Sequence, residues 1–98
     1  IMGNWKKTHI ILPQTKEGIS VRAKFEKTSD LTIVKITPSC NCFSAKLEGD
    51  FLVVKYTAET VPPHLVKRGY FEPTKSIVVR YSDGHTDFLS FSIIVTKN

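Results

Sequence analysis

The sequence has no apolar run approaching the ~18 residues that a membrane-spanning helix requires, and no signal-peptide pattern opens it. A soluble domain without a membrane span is therefore expected. Only two cysteines and three histidines are present, at unrelated spacings, which falls short of a structural zinc site of about four ligands. Glycine is scarce, at five residues, and nowhere forms a phosphate-cradling loop. Paired carboxylates, a nucleophile motif, internal repeats and low-complexity tracts are also missing. These absences argue against an enzyme, and no cofactor is expected. No segment keeps a helical period for three turns, which excludes helical and mixed folds.

What is present suits one small core. Ninety-eight residues leave no room for a second domain, and residues 1–98 read as a single one. A hydrophobic fraction of 41%, with six Phe, three Tyr and one Trp, can fill its interior without a metal or disulfide staple. The net charge of +5, from 14 basic and 9 acidic residues, favours an acidic partner. Yet the basic residues are spread along the chain, and only Lys6 with Lys7 and Lys67 with Arg68 are adjacent. A nucleic-acid footprint would be clustered, so solvated strand faces are the preferred reading and nucleic acid is disfavoured as a partner. A small-molecule ligand is disfavoured too.

Alternation at period two marks the strands. In 19–26, Ile19, Val21, Ala23 and Phe25 share one face, and Ser20, Arg22, Lys24 and Glu26 the other. In 31–37 the apolar phase changes between Ile33 and Val34, as in a central strand or a bulge. In 51–57, Leu52, Val54 and Tyr56 face one way while Phe51 and Val53 give the other face apolar character. Segments 75–81 and 86–95 flank Ser82, Asp83 and Gly84, a turn signal, and should form a hairpin. Its apolar sets, Ile77, Val79 and Tyr81 against Leu89, Phe91, Ile93 and Val95, are all odd-numbered. A two-residue turn would pair odd with even positions; a three-residue loop pairs Tyr81 with His85 and Ile77 with Leu89, with Gly84 in the left-handed position.

Further strands are expected at 8–12, ending before Pro13, and at 43–47, which brings the count to about seven. Seven short strands in about 100 residues suit an all-β, immunoglobulin-like β-sandwich. Residues 1–7 read as a short N-terminal arm. Residues 58–74, with Pro62, Pro63, Lys67, Arg68, Tyr70 and Phe71, read as one long connection, either a functional loop or a crossover between sheets. Ile1 ahead of Met2 suggests a cloning remnant, a trimmed precursor or an unusual start codon. If Met2 is the initiator, a virion or the cytoplasm is expected; if a signal peptide was removed, the cell envelope or periplasm. A myristoylation signal at Met2 and Gly3 is rejected, because Lys7 stands where Ser or Thr is required.

Cys40, Asn41 and Cys42 follow Pro38 at a strand end. Metal binding, a redox pair, and two small semi-apolar residues at a strand-to-turn corner are all open, the last preferred. No metal site is expected; Cys40 and Cys42 are the only metal candidates. The apolar stretch 31–37, followed by Ser39, Cys40, Asn41 and Cys42, resembles the signature of a bacterial domain family of unknown function common in gut-bacterial proteins. Its usual pattern is an apolar strand and then Ser-Cys-Gly-Cys-Thr. The resemblance continues through 52–56, 69–71, 76–79 and 89–95. Asn41 departs from the central Gly, and Glu48, Gly49 and Asp50 replace the usual Pro-Gly turn. That family is similar to Hydin-type and major-sperm-protein-like sandwiches, which implies a seven-stranded sandwich, no known enzymatic activity, and usual export or anchoring at the envelope.

The expected function is a non-catalytic interaction or assembly module, most concretely an accessory or decoration protein of a phage capsid or similar large particle. The alternatives are a cell-envelope module binding glycan or protein, and a thiol or metal protein using Cys40 and Cys42. Interface candidates are the non-core face carrying Phe51, Val53, Phe88 and Ile94, and the loop residues Lys67, Arg68, Tyr70 and Phe71. Trp5 is another candidate, although an N-terminal Trp more often packs across the end of a small sandwich. His9, His64 and His85 read as ordinary surface residues.

Overall fold

The computed structural model describes residues 3–98. Ile1 and Met2, on which the reading of the chain start rests, lie outside the described residues. The elements in order are β1 (His9–Ile11), β2 (Thr15–Lys16), β3 (Ser20–Glu26), β4 (Ile33–Pro38), β5 (Phe43–Glu48) and β6 (Phe51–Thr57). A 3-10 turn at Pro63–Leu65 follows, then β7 (Tyr70–Phe71), β8 (Thr74–Tyr81), β9 (Thr86–Ser92) and β10 (Val95–Thr96).

Six of these segments are three strands broken at one level. β1 and β2 run parallel to β9 and β10, with Ile11 opposite Ser92 and Thr15 opposite Val95. On the other side of that strand, β8 and β7 run antiparallel, with Thr74 opposite Ser92 and Phe71 opposite Val95. Pro13 and Pro73 stand in the gaps, and neither has an N–H to give to a ladder. Backbone bonds bridge the break: Leu12 N donates to Ser92 O at 2.9 Å, Thr15 N to Ile94 O at 2.9 Å, and Ile93 N to Pro73 O at 3.2 Å.

Rejoined, the ten segments make seven strands in two sheets. One has the order β1/β2, β9/β10, β7/β8, β4, and the other β3, β6, β5. This is the immunoglobulin-like β-sandwich, with the first strand parallel to the last.

Inward residues of both sheets form one core. Phe91 meets Phe43 edge-on at 5.2 Å and Tyr56 at 5.6 Å, and Leu52, Val54, Ile77, Val79 and Leu89 are fully buried around them. The β8–β9 hairpin has the expected register, Ile77 opposite Leu89, closed by Tyr81 N donating to His85 O at 2.9 Å. Gly84 has φ +93°, the left-handed residue of a three-residue loop.

Several expectations are corrected. β4 is an edge strand with a bulge between Ile33 and Lys35, so its change of phase marks a bulge and not a central position. Such a bulge also blunts the edge against further pairing. Ile19 precedes β3 and is 52% exposed, so it does not join Ala23 and Phe25 in the core. The connection expected over 58–74 ends at Gly69, because β7 already continues the sheet; Pro73 hid that strand. Residues 3–7 are not a free arm: Trp5 forms a bridge with Lys27 across the end of the sandwich and is only 5% exposed.

Candidate interaction surfaces

Each sheet turns one face to the core and one outward, and the candidates divide between the two outer faces. On the larger sheet, Phe88, Ser90, Ser92, Ile94 and Thr96 alternate along β9 and β10 with the buried Leu89, Phe91, Ile93 and Val95. Phe88 is 69% exposed and sits opposite Val78, which in turn sits opposite Thr37. Ile11, opposite Ser92, is 76% exposed. Between them the face is lined with hydroxyls that bond to one another or to His9: Thr74 with Ser92 at 2.8 Å, and Ser90 with His9 Nδ1 at 2.6 Å.

Where the sheet passes its proline break, the same face opens into a shallow groove lined by Gln14, Arg68, Gly69, Tyr70, Ile94 and Thr96. Arg68 lies over the Tyr70 ring, 4.4 Å from its centroid, and its Nε donates to Tyr70 O at 3.1 Å. Arg68 is exposed, so its remaining donors stay accessible to solvent. Phe88, Ile11, Ile94 and Tyr70 thus form a broken apolar stripe along one face.

The smaller sheet separates the remaining candidates from that stripe. Phe51 and Val53 lie on the outer face of β6, on the opposite side of the sandwich from Phe88. The single patch expected of Phe51, Val53, Phe88 and Ile94 is therefore two surfaces, since residues of different strands share a face only when their sheets do. Val53 is just 8% exposed, because it sits in register between Lys24 and Lys46, whose aliphatic stems flank it. Phe51 is 38% exposed, with Lys24 Nζ 5.3 Å from its ring centroid.

The remaining candidates do not share one surface. Trp5 packs in the core, and its indole Nε1 donates to Tyr81 Oη at 2.7 Å. Phe71 points inward and packs against the core, while Lys67 stays exposed. Cys40 and Cys42 are joined in a disulfide, so the corner carries neither two thiols nor a thiolate for a metal. Asn41 between them has no positive φ, so it does not use the left-handed conformation open to asparagine.

Among the described residues, no group of three or more His, Cys, Asp or Glu is placed to hold a metal ion, and no helix is long and apolar enough to cross a membrane. Ser90 and His9 are the nearest approach to a nucleophile and base, but their pair is exposed, and no described carboxylate bonds the His9 ring to orient it. His85 bonds Asp83 at 2.8 Å, and that bond with the carboxylate charge raises its pKa above the usual histidine value.

Sequence reasoning missed the cations of the smaller sheet. Arg22 and Lys24 from β3, Lys46 from β5 and Lys55 from β6 all point outward on one face. Only the alternation within each strand could have grouped them, and only once the order β3, β6, β5 was known.

No family model matches the chain, and no curated protein matches it. Solved structures do resemble it. It is similar to part of an endo-fucoidan hydrolase from glycoside hydrolase family 107, with a TM-score of 0.64 at 10% identity over 96% of this chain. The chain spans 13% of that hydrolase's length. It is also similar to the titin M3 domain, with a TM-score of 0.60 at 12% identity over 94% of each chain. At such identities the likeness carries the fold alone, and the fold is immunoglobulin-like.

Proposed function

We propose that this domain is a non-catalytic interaction module that docks on a protein partner through the outer face of its larger sheet. The observation that carries this reading is the stripe of Phe88, Ile11, Ile94 and Tyr70 on one continuous face, set among hydroxyls, with Arg68 at its end. Exposed aromatic and arginine anchors in a polar frame are the composition of protein interfaces. In its most concrete form the partner is a phage capsid or similar large particle, which the domain decorates as an accessory protein. A small, basic immunoglobulin-like domain supports that form by analogy.

A cell-envelope binding module is the second reading, and one observation favours it: the Cys40–Cys42 disulfide belongs to an oxidising compartment. The same cysteine pair, at the end of β4, supports kinship with the bacterial Cys-X-Cys domain family.

The test is gentle isolation from the native source, with mass spectrometry of whatever co-purifies in fixed ratio. Stoichiometric recovery with particle proteins, lost in Phe88→Asp and kept in Val34→Asp, is expected. Val34 is exposed on the β4 edge, outside the stripe, and serves as the control. Recovery as a free chain would overturn the assembly role.

A further inference from the structure

The outer face of the smaller sheet is organised in rows. Lys24, Val53 and Lys46 form one row across β3, β6 and β5, and Glu26, Phe51 and Glu48 form the next. Each row has an apolar centre between two like charges, and the sign reverses from one row to the other. Successive outward residues on a strand are about 7 Å apart, so the rows are adjacent. The centres differ in exposure: Val53, at 8%, is covered between the two lysines, while Phe51, at 38%, stays exposed with Lys24 Nζ 5.3 Å from its ring centroid. Among the described residues, Lys24, Lys46 and Glu48 form no ion pair, and Glu26 has only a 3.9 Å contact with Lys6.

We propose that this face is where two copies of the chain meet, about a twofold axis that runs across the strands between the two rows. A half-turn about that axis keeps each strand over its own counterpart and exchanges the rows. Lys24 then faces Glu26 of the second copy, Lys46 faces Glu48, and Phe51 comes to lie over Val53 and the lysine stems beside it. Every contact is made twice, as an isologous interface requires. An axis along the strands would instead set each row on itself, like charge on like charge.

A polyanion is the competing occupant, since Arg22 and Lys55 stand opposite each other in the row beyond Lys24. But a polyanion crossing Lys24 and Lys46 would run onto Glu26 and Glu48, whereas a second copy uses both signs. Three strands of about seven residues give a face of about 23 by 14 Å. Two such faces bury roughly 650 Å² in total, below the ~1,200 Å² of a stable interface, so the dimer is weak and depends on concentration. Such a dimer would leave both larger sheets outward, so it goes beyond the docking role and makes the domain bivalent for its partner.

Sedimentation equilibrium of the intact chain tests this, with circular dichroism confirming that each variant is folded. The wild type should pass from monomer to dimer between low-micromolar and near-millimolar concentration, and added salt should weaken the dimer. The pair Lys24→Glu and Lys46→Glu, or the pair Glu26→Lys and Glu48→Lys, should each weaken self-association by at least about tenfold. Mixing the two double variants should restore a one-to-one dimer. A wild type that stays monomeric throughout, a dimer indifferent to both charge reversals, or a mixture that remains monomeric would each overturn the proposal. So would a monomer that binds single-stranded DNA through Lys24 and Lys46, which would assign the face to a polyanion.

Discussion

Tyr81 donates its hydroxyl proton to Asp87 Oδ2 over 2.6 Å while accepting from the indole of Trp5 at 2.7 Å. Asn4 Nδ2 adds a second donor to the same carboxylate oxygen at 3.0 Å, so the N-terminal residues are bonded to the hairpin at the end of the sandwich. Tyr81→Phe removes the acceptor of a buried indole and one donor to Asp87 at once. A loss of about 1–3 kcal/mol is expected, since a buried polar group left unpaired costs its full desolvation. Urea unfolding followed by Trp5 fluorescence measures it, and an unchanged midpoint would mean that the indole finds another acceptor.

Alkaline pH should unfold the domain through its buried tyrosines. Burial, then the hydrogen bond to Glu59, pushes the Tyr56 pKa up to about 12. Burial, then the bond to Asp87, raises Tyr81 as well. In both cases the folded state holds its proton longer than the unfolded chain does. Their contribution to stability is therefore fully present below the ordinary tyrosine value of 10.0 and is lost as the pH rises above it, through about 12 for Tyr56. Ultraviolet absorbance should show these tyrosines ionising together with loss of circular dichroism, and Tyr56→Phe should move the transition to higher pH.

The hairpin was legible because both of its strands bury their odd-numbered residues and only a three-residue loop satisfies both. β6 was legible for its inward set of Leu52, Val54 and Tyr56. What could not be read was which sheet each strand joins: Phe51 and Phe88 are each an exposed aromatic that follows an aspartate and precedes a buried leucine, yet they lie on opposite sides. Pro73 and Pro13 misled in a different way. A proline signals a strand end locally, but two prolines at the same level of one sheet interrupt strands that the neighbouring ladders continue. The cation rows needed three strands in register, which no single stretch of sequence contains.

The Cys40–Cys42 disulfide should contribute little to stability. It spans a sequence separation of 2, and the chain entropy removed by closing so short a loop is worth at most about 2 kcal/mol. The variant with Cys40→Ser and Cys42→Ser should therefore fold, with a urea midpoint only slightly lower and no further response to reductant. A variant that fails to fold would instead make the corner a determinant of how β4 leads into β5.

Gly84 gives the sharpest local test of the hairpin. Its φ of +93° is one that L-residues rarely adopt, and no heavy atom lies within 4 Å of where a Cβ would stand. The cost of Gly84→Ala is thus conformational and not steric, about 1–2 kcal/mol. Gly84→Asn should cost less, because asparagine tolerates positive φ better than alanine does. Gly3→Ala is the matching control, with equally open space but no positive φ, and should change stability by less than about 0.5 kcal/mol. Thermal unfolding of the three variants orders them. If alanine at position 84 proved as mild as alanine at position 3, the loop would have relaxed into another turn, and the pairing of Tyr81 with His85 would no longer be what sets the register.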